Sequence, residues 1–124
     1  MKRLSTGFTL LEILICIAII AILAILAVPN IINAKEKVSV MAAIAVGRTV
    51  MNRMASVEID SPALAKCTFS SQSVVVVAGN NREVVNASKP ITNVACLSDS
   101  ESWNARVFFM KKGVIEDQTY TSFK

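Results

Sequence analysis

The residue that most needs a chemical explanation is Glu12, the only charged side chain between Phe8 and Val28 in an otherwise apolar stretch. A carboxylate held in hydrocarbon near the middle of a bilayer costs roughly 2.5–3.5 kcal/mol on insertion scales, so Glu12 should acquire a partner or mark a function. No Lys, Arg or His lies in the stretch to neutralise it. The cysteines form the second candidate group. Cys16 lies inside the apolar run, where a lone thiol behaves as a small hydrophobe and packs. Cys67 and Cys96 remain as an even pair closing a loop of about 30 residues, worth about 3.6 kcal/mol by chain-entropy arithmetic if unstrained. A metal or redox pair is a poor alternative, because the spacing is not C-x-x-C and the chain has no histidine.

Other chemistry is thinly supported. Without histidine there is no Ser-His or Cys-His pair, no glycine-rich phosphate loop follows a strand, and the carboxylates are scattered, so the chain does not read as an enzyme and calls for no cofactor. Asp99-Glu101 and Glu116-Asp117 are the only late acidic clusters; calcium needs six or more oxygens around it, so these read as exposed surface charge. Arg82, Lys89, Arg106, Lys111 and Lys112, with Trp103 and Tyr120 as stacking groups, could in principle engage nucleic acid. Their dispersal argues for solubilising charge and for Trp103 as core, since phosphate binding wants a dense basic stripe. Asn86-Ala87-Ser88 fits a glycosylation acceptor pattern that is too short to carry weight.

The elements that position these residues follow from hydropathy and periodicity. As a helix, Phe8–Val28 would extend about 31 Å, enough to cross a hydrocarbon core of about 30 Å. Ala18, Ala21, Ala24 and Ala27 recur every third position and trace a slowly drifting stripe along which another helix could approach. Lys2 and Arg3 precede the run, and by the positive-inside rule they keep the N-terminus cytoplasmic and send the rest across. A cleavable secretory signal would have a shorter apolar region followed by an A-x-A-like site, and no A-x-A occurs within this long run. Export to an oxidising compartment would favour a Cys67–Cys96 disulfide. The mean hydropathy of +0.54 is inflated by this run, and the net charge of +4 includes the two leader cations.

Past Pro29 the helical pattern continues. Val40, Ala43, Ile44, Gly47, Val50, Met51, Met54 and Val57 fall on one face, with Arg48, Thr49, Asn52, Arg53 and Ser56 on the other. Lys35-Glu36-Lys37 reads as a solvated collar. Asp60-Ser61-Pro62 stops the helix, because the residue before proline resists helical geometry. The remainder is β-like. Ser73–Ala78 and Glu83–Asn86 flank the turn residues Gly79-Asn80-Asn81-Arg82; Ile91–Leu97 follows, then a polar loop at Ser98–Ser102, a strand at Ala105–Met110, a turn at Lys111-Lys112-Gly113, and a return from Val114. Val74 to Val77 do not alternate in polarity and predict burial on both faces. The expected fold is α+β, a long N-terminal helix with a small antiparallel sheet packed on its second half. Its divisions are a leader at 1–7, an apolar helix at 8–28, an amphipathic continuation at 29–60 and a β domain at 61–124.

The string Gly7-Phe8-Thr9-Leu10-Leu11-Glu12, behind a short basic leader and ahead of a long apolar run, resembles the class III signal of bacterial type IV prepilins and type II secretion pseudopilins. The close match covers about Lys2 to Asn33. The resemblance implies cleavage by prepilin peptidase between Gly7 and Phe8 and N-methylation of Phe8. It makes Glu12 the assembly carboxylate that meets the free amine of a neighbouring subunit's first residue, and Pro29 the proline that locally loosens the helix. It implies a filament subunit of lollipop layout, homo-oligomeric or mixed with other pilins. Such a subunit is handled by an inner-membrane assembly platform and moves from the inner membrane to a surface pilus. Related readings are a secretion pseudopilin and a DNA-binding competence pilin. Two features depart from the family: the cysteine pair lies well upstream of Lys124, and no counterpart of the major pseudopilin's acidic calcium loop is evident.

Overall fold

The protein is described over residues 8–124 by a computed structural model, which divides into two compact units, one extending to Lys35 and the other Glu36–Lys124. One helix, α1, is assigned from Leu10 to Ile59 and passes through Pro29. In the first unit it has no core of its own. Fourteen large apolar side chains from Phe8 to Val28 are each about half or more exposed, whereas a soluble monomer rarely leaves a contiguous apolar patch above a few hundred Å² uncovered. Pro29 cannot donate to the carbonyl one turn back, and next to that gap the Asn30 side-chain amide donates to the Leu26 carbonyl at 3.3 Å.

The second unit has a core because α1 turns amphipathic. Ala43, Gly47, Val50, Met54 and Val57 are buried at the expected helical spacing, and all but Gly47 share one apolar cluster with Val74, Val76, Val107 and Phe109 of the sheet. Gly47 has a steric reason to be glycine: a Cβ there would lie 2.8 Å from Tyr120 Cζ and closer still to the rest of that ring edge. The helix end is closed from a distance, since Asn81 Nδ2 donates to the Val57 carbonyl at 3.2 Å, one of the last-turn carbonyls that lack an intrahelical donor.

The sheet has six antiparallel strands, β1 (Lys66–Ser70), β2 (Ser73–Ala78), β3 (Asn81–Asn86), β4 (Ile91–Ser98), β5 (Ser102–Lys111) and β6 (Val114–Phe123), in the order β3-β2-β1-β4-β5-β6. It is therefore two three-stranded meanders joined along β1 and β4. Within each meander the ladders are long, whereas the join holds a single registered pair, Lys66 with Leu97. Cys67 and Cys96 are bonded directly beside that pair, with Cα atoms 5.5 Å apart.

Several expectations are corrected. The valines of β2 are not buried on both faces: Val74 and Val76 are buried while Val77 is 37% exposed, because only one face of the sheet meets the core. The β2–β3 turn is Gly79-Asn80 alone; Gly79 takes a positive φ of 59°, the requirement at the first central position of a two-residue hairpin loop, so Asn81 and Arg82 already belong to β3. Strand β1 goes unrecognised in the sequence, and β5 begins at Ser102 rather than Ala105. Glu36 is not part of a solvated collar. Its side chain is mostly covered and pairs with Lys112 of the β5–β6 turn at 3.1 Å.

Candidate functional site

The first site is the start of α1. Phe8 is exposed and precedes the helix, while Gly7 and the rest of the leader lie outside the described residues. Thr9 and Glu12 engage reciprocally: the Glu12 amide donates to Thr9 Oγ1 at 3.2 Å, and Thr9 donates to Glu12 Oε2 from its amide at 3.0 Å and its hydroxyl at 3.1 Å. This is a capping box, with Thr9 at the N-cap and Glu12 three residues on. It satisfies donors that the helix itself leaves unpaired and sets negative charge against the positive end of the helix dipole. Thr9 is the capping residue that sequence reasoning passed over, although Thr-x-x-Glu ahead of an apolar run is the pattern that announces it. The Ala18, Ala21, Ala24 and Ala27 stripe and Cys16 lie along the same exposed stretch.

A second group gathers at the other end of α1, far from it in sequence. Glu58 stands in the last turn, where the helix dipole disfavours an anion and no basic residue offsets it locally. Its side chain is only 10% exposed and ion-paired to Lys124 Nζ at 2.7 Å. Glu58 Oε1 also accepts the Ala65 amide at 2.6 Å, and Oε2 accepts Trp103 Nε1–H at 2.8 Å. Burial alone would raise the pKa of this carboxyl. The donors, Lys124 first, then Ser98, Ala65 and Trp103, outweigh burial and bring its pKa down to about 2. Nearby, Asp99 accepts the amides of Glu101 and Ser102 through Oδ1, and those bonds hold its pKa below the usual carboxylate value.

The Thr9–Glu12 segment lies within a stretch that matches a known protein-family model. Residues 2–28 match the family described as the prokaryotic N-terminal methylation motif. No curated protein and no solved structure matches the chain. The motif is typical of type IV pilins and pseudopilins and supports a pilin-like or pseudopilin precursor. This implies processing by prepilin peptidase and assembly with other pilins. The motif ends at Val28, where the run of exposed apolar side chains also nears its end. The helix that carries it is long and apolar enough to cross a membrane.

The remaining candidates are scattered over the sheet. Arg106 pairs with Asp117 at 3.5 Å, Lys111 with Glu116 at 3.1 Å, and Lys112 with Glu36. Trp103 is half-buried and committed to Glu58, and Tyr120 lies over Gly47 with its hydroxyl donating to Gln118. These cations and aromatics do not converge on one surface groove. Among the described residues, no three acidic, cysteine or histidine side chains gather at one point.

Proposed function

We propose that the chain is a structural subunit of a type IV pilus filament. Prepilin peptidase removes residues 1–7 by cutting between Gly7 and Phe8, and Phe8 is then N-methylated. Before assembly the subunit waits in the bacterial inner membrane with its N-terminus cytoplasmic. An assembly platform then moves it into a surface fibre, in which the apolar helices of neighbouring copies cover one another along Phe8–Val28. The β domain of residues 61–124 supplies the outer surface, and Pro29 marks the loosened point between the apolar and amphipathic parts of the helix.

The observation that carries this reading is the methylation motif sitting on a helix whose apolar surface is left uncovered by the described residues. In the filament Glu12 offsets the methylated amine of a neighbour's Phe8, since one unpaired charge in such surroundings is costly whereas a matched pair is tolerable. Glu12→Ala should leave leader cleavage intact and reduce fibre yield; normal amounts of fibre would count against the role of Glu12. The broader test is the intact mass of protein sheared from producing cells, measured with and without reduction. A species starting at methylated Phe8 and gaining two hydrogens on reduction supports a surface pilin with the Cys67–Cys96 bond. A processed form confined to the cell envelope favours a secretion pseudopilin, and retention of residues 1–7 sinks both. The charge pairing of Arg106, Lys111 and Lys112 argues against the DNA-binding alternative.

A further inference from the structure

The group around Glu58 borders an open cleft of about 450 Å³ lined by Ala55, Ile59, Pro62, Leu64, Trp103 and Lys124 among others. We propose that this cleft is a binding pocket for a lysine side chain, filled in the isolated subunit by Lys124 acting as a tethered and displaceable occupant. The inference goes beyond the filament reading and does not depend on it.

Three kinds of recognition converge on one ammonium. Lys124 Nζ lies 2.7 Å from Glu58 Oε2, donates to the Asp99 carbonyl at 2.7 Å and sits 5.3 Å from the centre of the Trp103 ring. A carboxylate, a neutral carbonyl and an aromatic face together suit a primary ammonium, which has three donors and a compact charge. The receptor half of this arrangement is built without Lys124. Glu58 is oriented by the Ala65 amide and the Trp103 indole, and Asp99 is held by the amides of Glu101 and Ser102. Removing the ammonium would leave a formed site holding a largely buried carboxylate with no countercharge, a costly state that favours refilling.

The occupant is held less firmly than its receptor. Lys124 follows directly on β6, and its backbone is tied by one bond, from its amide to the Glu101 carbonyl at 3.0 Å. The cleft is also larger than the head group it holds, and the 80% exposed Ile59 and the 46% exposed Leu64 offer apolar wall that Lys124 leaves uncovered. A lysine with a short apolar neighbour, presented by another chain, would use both the ammonium site and that wall.

A fixed ion pair and an exchangeable pocket differ in whether a free ammonium can take the site. Trp103 is the only tryptophan in the chain, so its fluorescence reports on this cleft alone. The full chain in nonionic detergent is titrated at neutral pH with n-butylammonium chloride against sodium chloride at equal ionic strength. Lys124→Ala should give a saturable emission change with a millimolar midpoint, wild type should need several-fold more because its own lysine competes, and Lys124→Ala/Glu58→Gln should not saturate. Absence of a saturable response in Lys124→Ala, or the same response with Glu58→Gln, overturns the proposal. Should Lys124→Ala fail to fold, the comparison of wild type with Glu58→Gln carries the same test. Zero-length carbodiimide coupling in cell envelopes then identifies the source of the ligand. Glu58 joined to a lysine of a second copy or of a different protein supports exchange, and Glu58 joined only to Lys124 overturns it.

Discussion

Replacing both Cys67 and Cys96 with alanine should weaken the sheet along one line rather than everywhere. The two residues are 29 apart in sequence, and loop-closure arithmetic for such a separation gives about 3.6 kcal/mol of stabilisation through the unfolded chain. Within the native sheet the cost falls unevenly. β2 is registered to β1 over five pairs and to β3 over six, whereas β1 meets β4 in one registered pair beside the disulfide. The bond is therefore the main covalent or hydrogen-bonded tie between the two meanders. The shared apolar cluster would remain, as would the packing of Val74, Val76 and Val85 within it.

The expected outcome has two parts. Urea unfolding of the full chain in nonionic detergent, followed by Trp103 fluorescence, should show a loss of about 3–4 kcal/mol, a large fraction of the 5–15 kcal/mol typical of a domain. Native-state hydrogen exchange should show the amides of β1, β2 and β3 opening more readily, with those of β5 and β6 changed least. A loss below about 1 kcal/mol would contradict the loop-entropy estimate. Uniform loss of protection across all six strands would refute the idea of a seam.

Two further predictions concern the helix. Gly47→Ala should improve helix propensity by about 1 kcal/mol yet destabilise the protein by about 1–3 kcal/mol through collision with Tyr120; thermal melts of Gly47→Ala in wild-type and Tyr120→Ala backgrounds check this, since the penalty should vanish in the second. Glu58 has a pKa lowered from 4.5 to about 2 by its donors, so the folded state binds its proton more weakly than the unfolded state. Its contribution is complete above pH 4.5 and lost as pH falls through about 2. That difference is worth at most about 3 kcal/mol, and about 2 kcal/mol after allowing for residual solvent contact. Glu58→Gln should flatten the acid limb of a stability–pH curve; an unchanged limb would place the acid sensitivity elsewhere.

The α+β plan was legible because two periodicities dominate the chain. The apolar run and the stripe from Val40 to Val57 mark one helix, and valine-rich segments flanking Gly79-Asn80 mark a hairpin. β1 was not legible, since KCTFS is short and its loop to β2 consists of Ser71 and Gln72, both at positive φ, a conformation usually left to Gly, Asn or Asp. Nor was the Glu58 site, whose partners Trp103 and Lys124 are 45 and 66 residues away in sequence; an acid at a helix end reads as solvated charge until the sheet brings them in. Glu36 reads as solvated collar for a similar reason, since its partner Lys112 lies far along the chain.

Glu12 was legible as an anomaly but not in its local engagement. As a lone carboxylate in an apolar run it asks for a partner, and the capping box with Thr9 supplies one within the chain. That does not remove the need for a cation, because the box provides hydrogen bonds and the helix dipole only a partial charge, equivalent to roughly half an elementary charge. Both bonds from Thr9 end on Oε2, so Oε1 takes no part in the box. The two roles are therefore compatible in sequence: the box holds the side chain at the helix start while the subunit is alone, and a neighbour's ammonium can approach through the other oxygen without first undoing it. In the proposed filament Thr9 would then serve as a positioning residue for Glu12, lowering the ordering cost of assembly by holding one geometry beforehand.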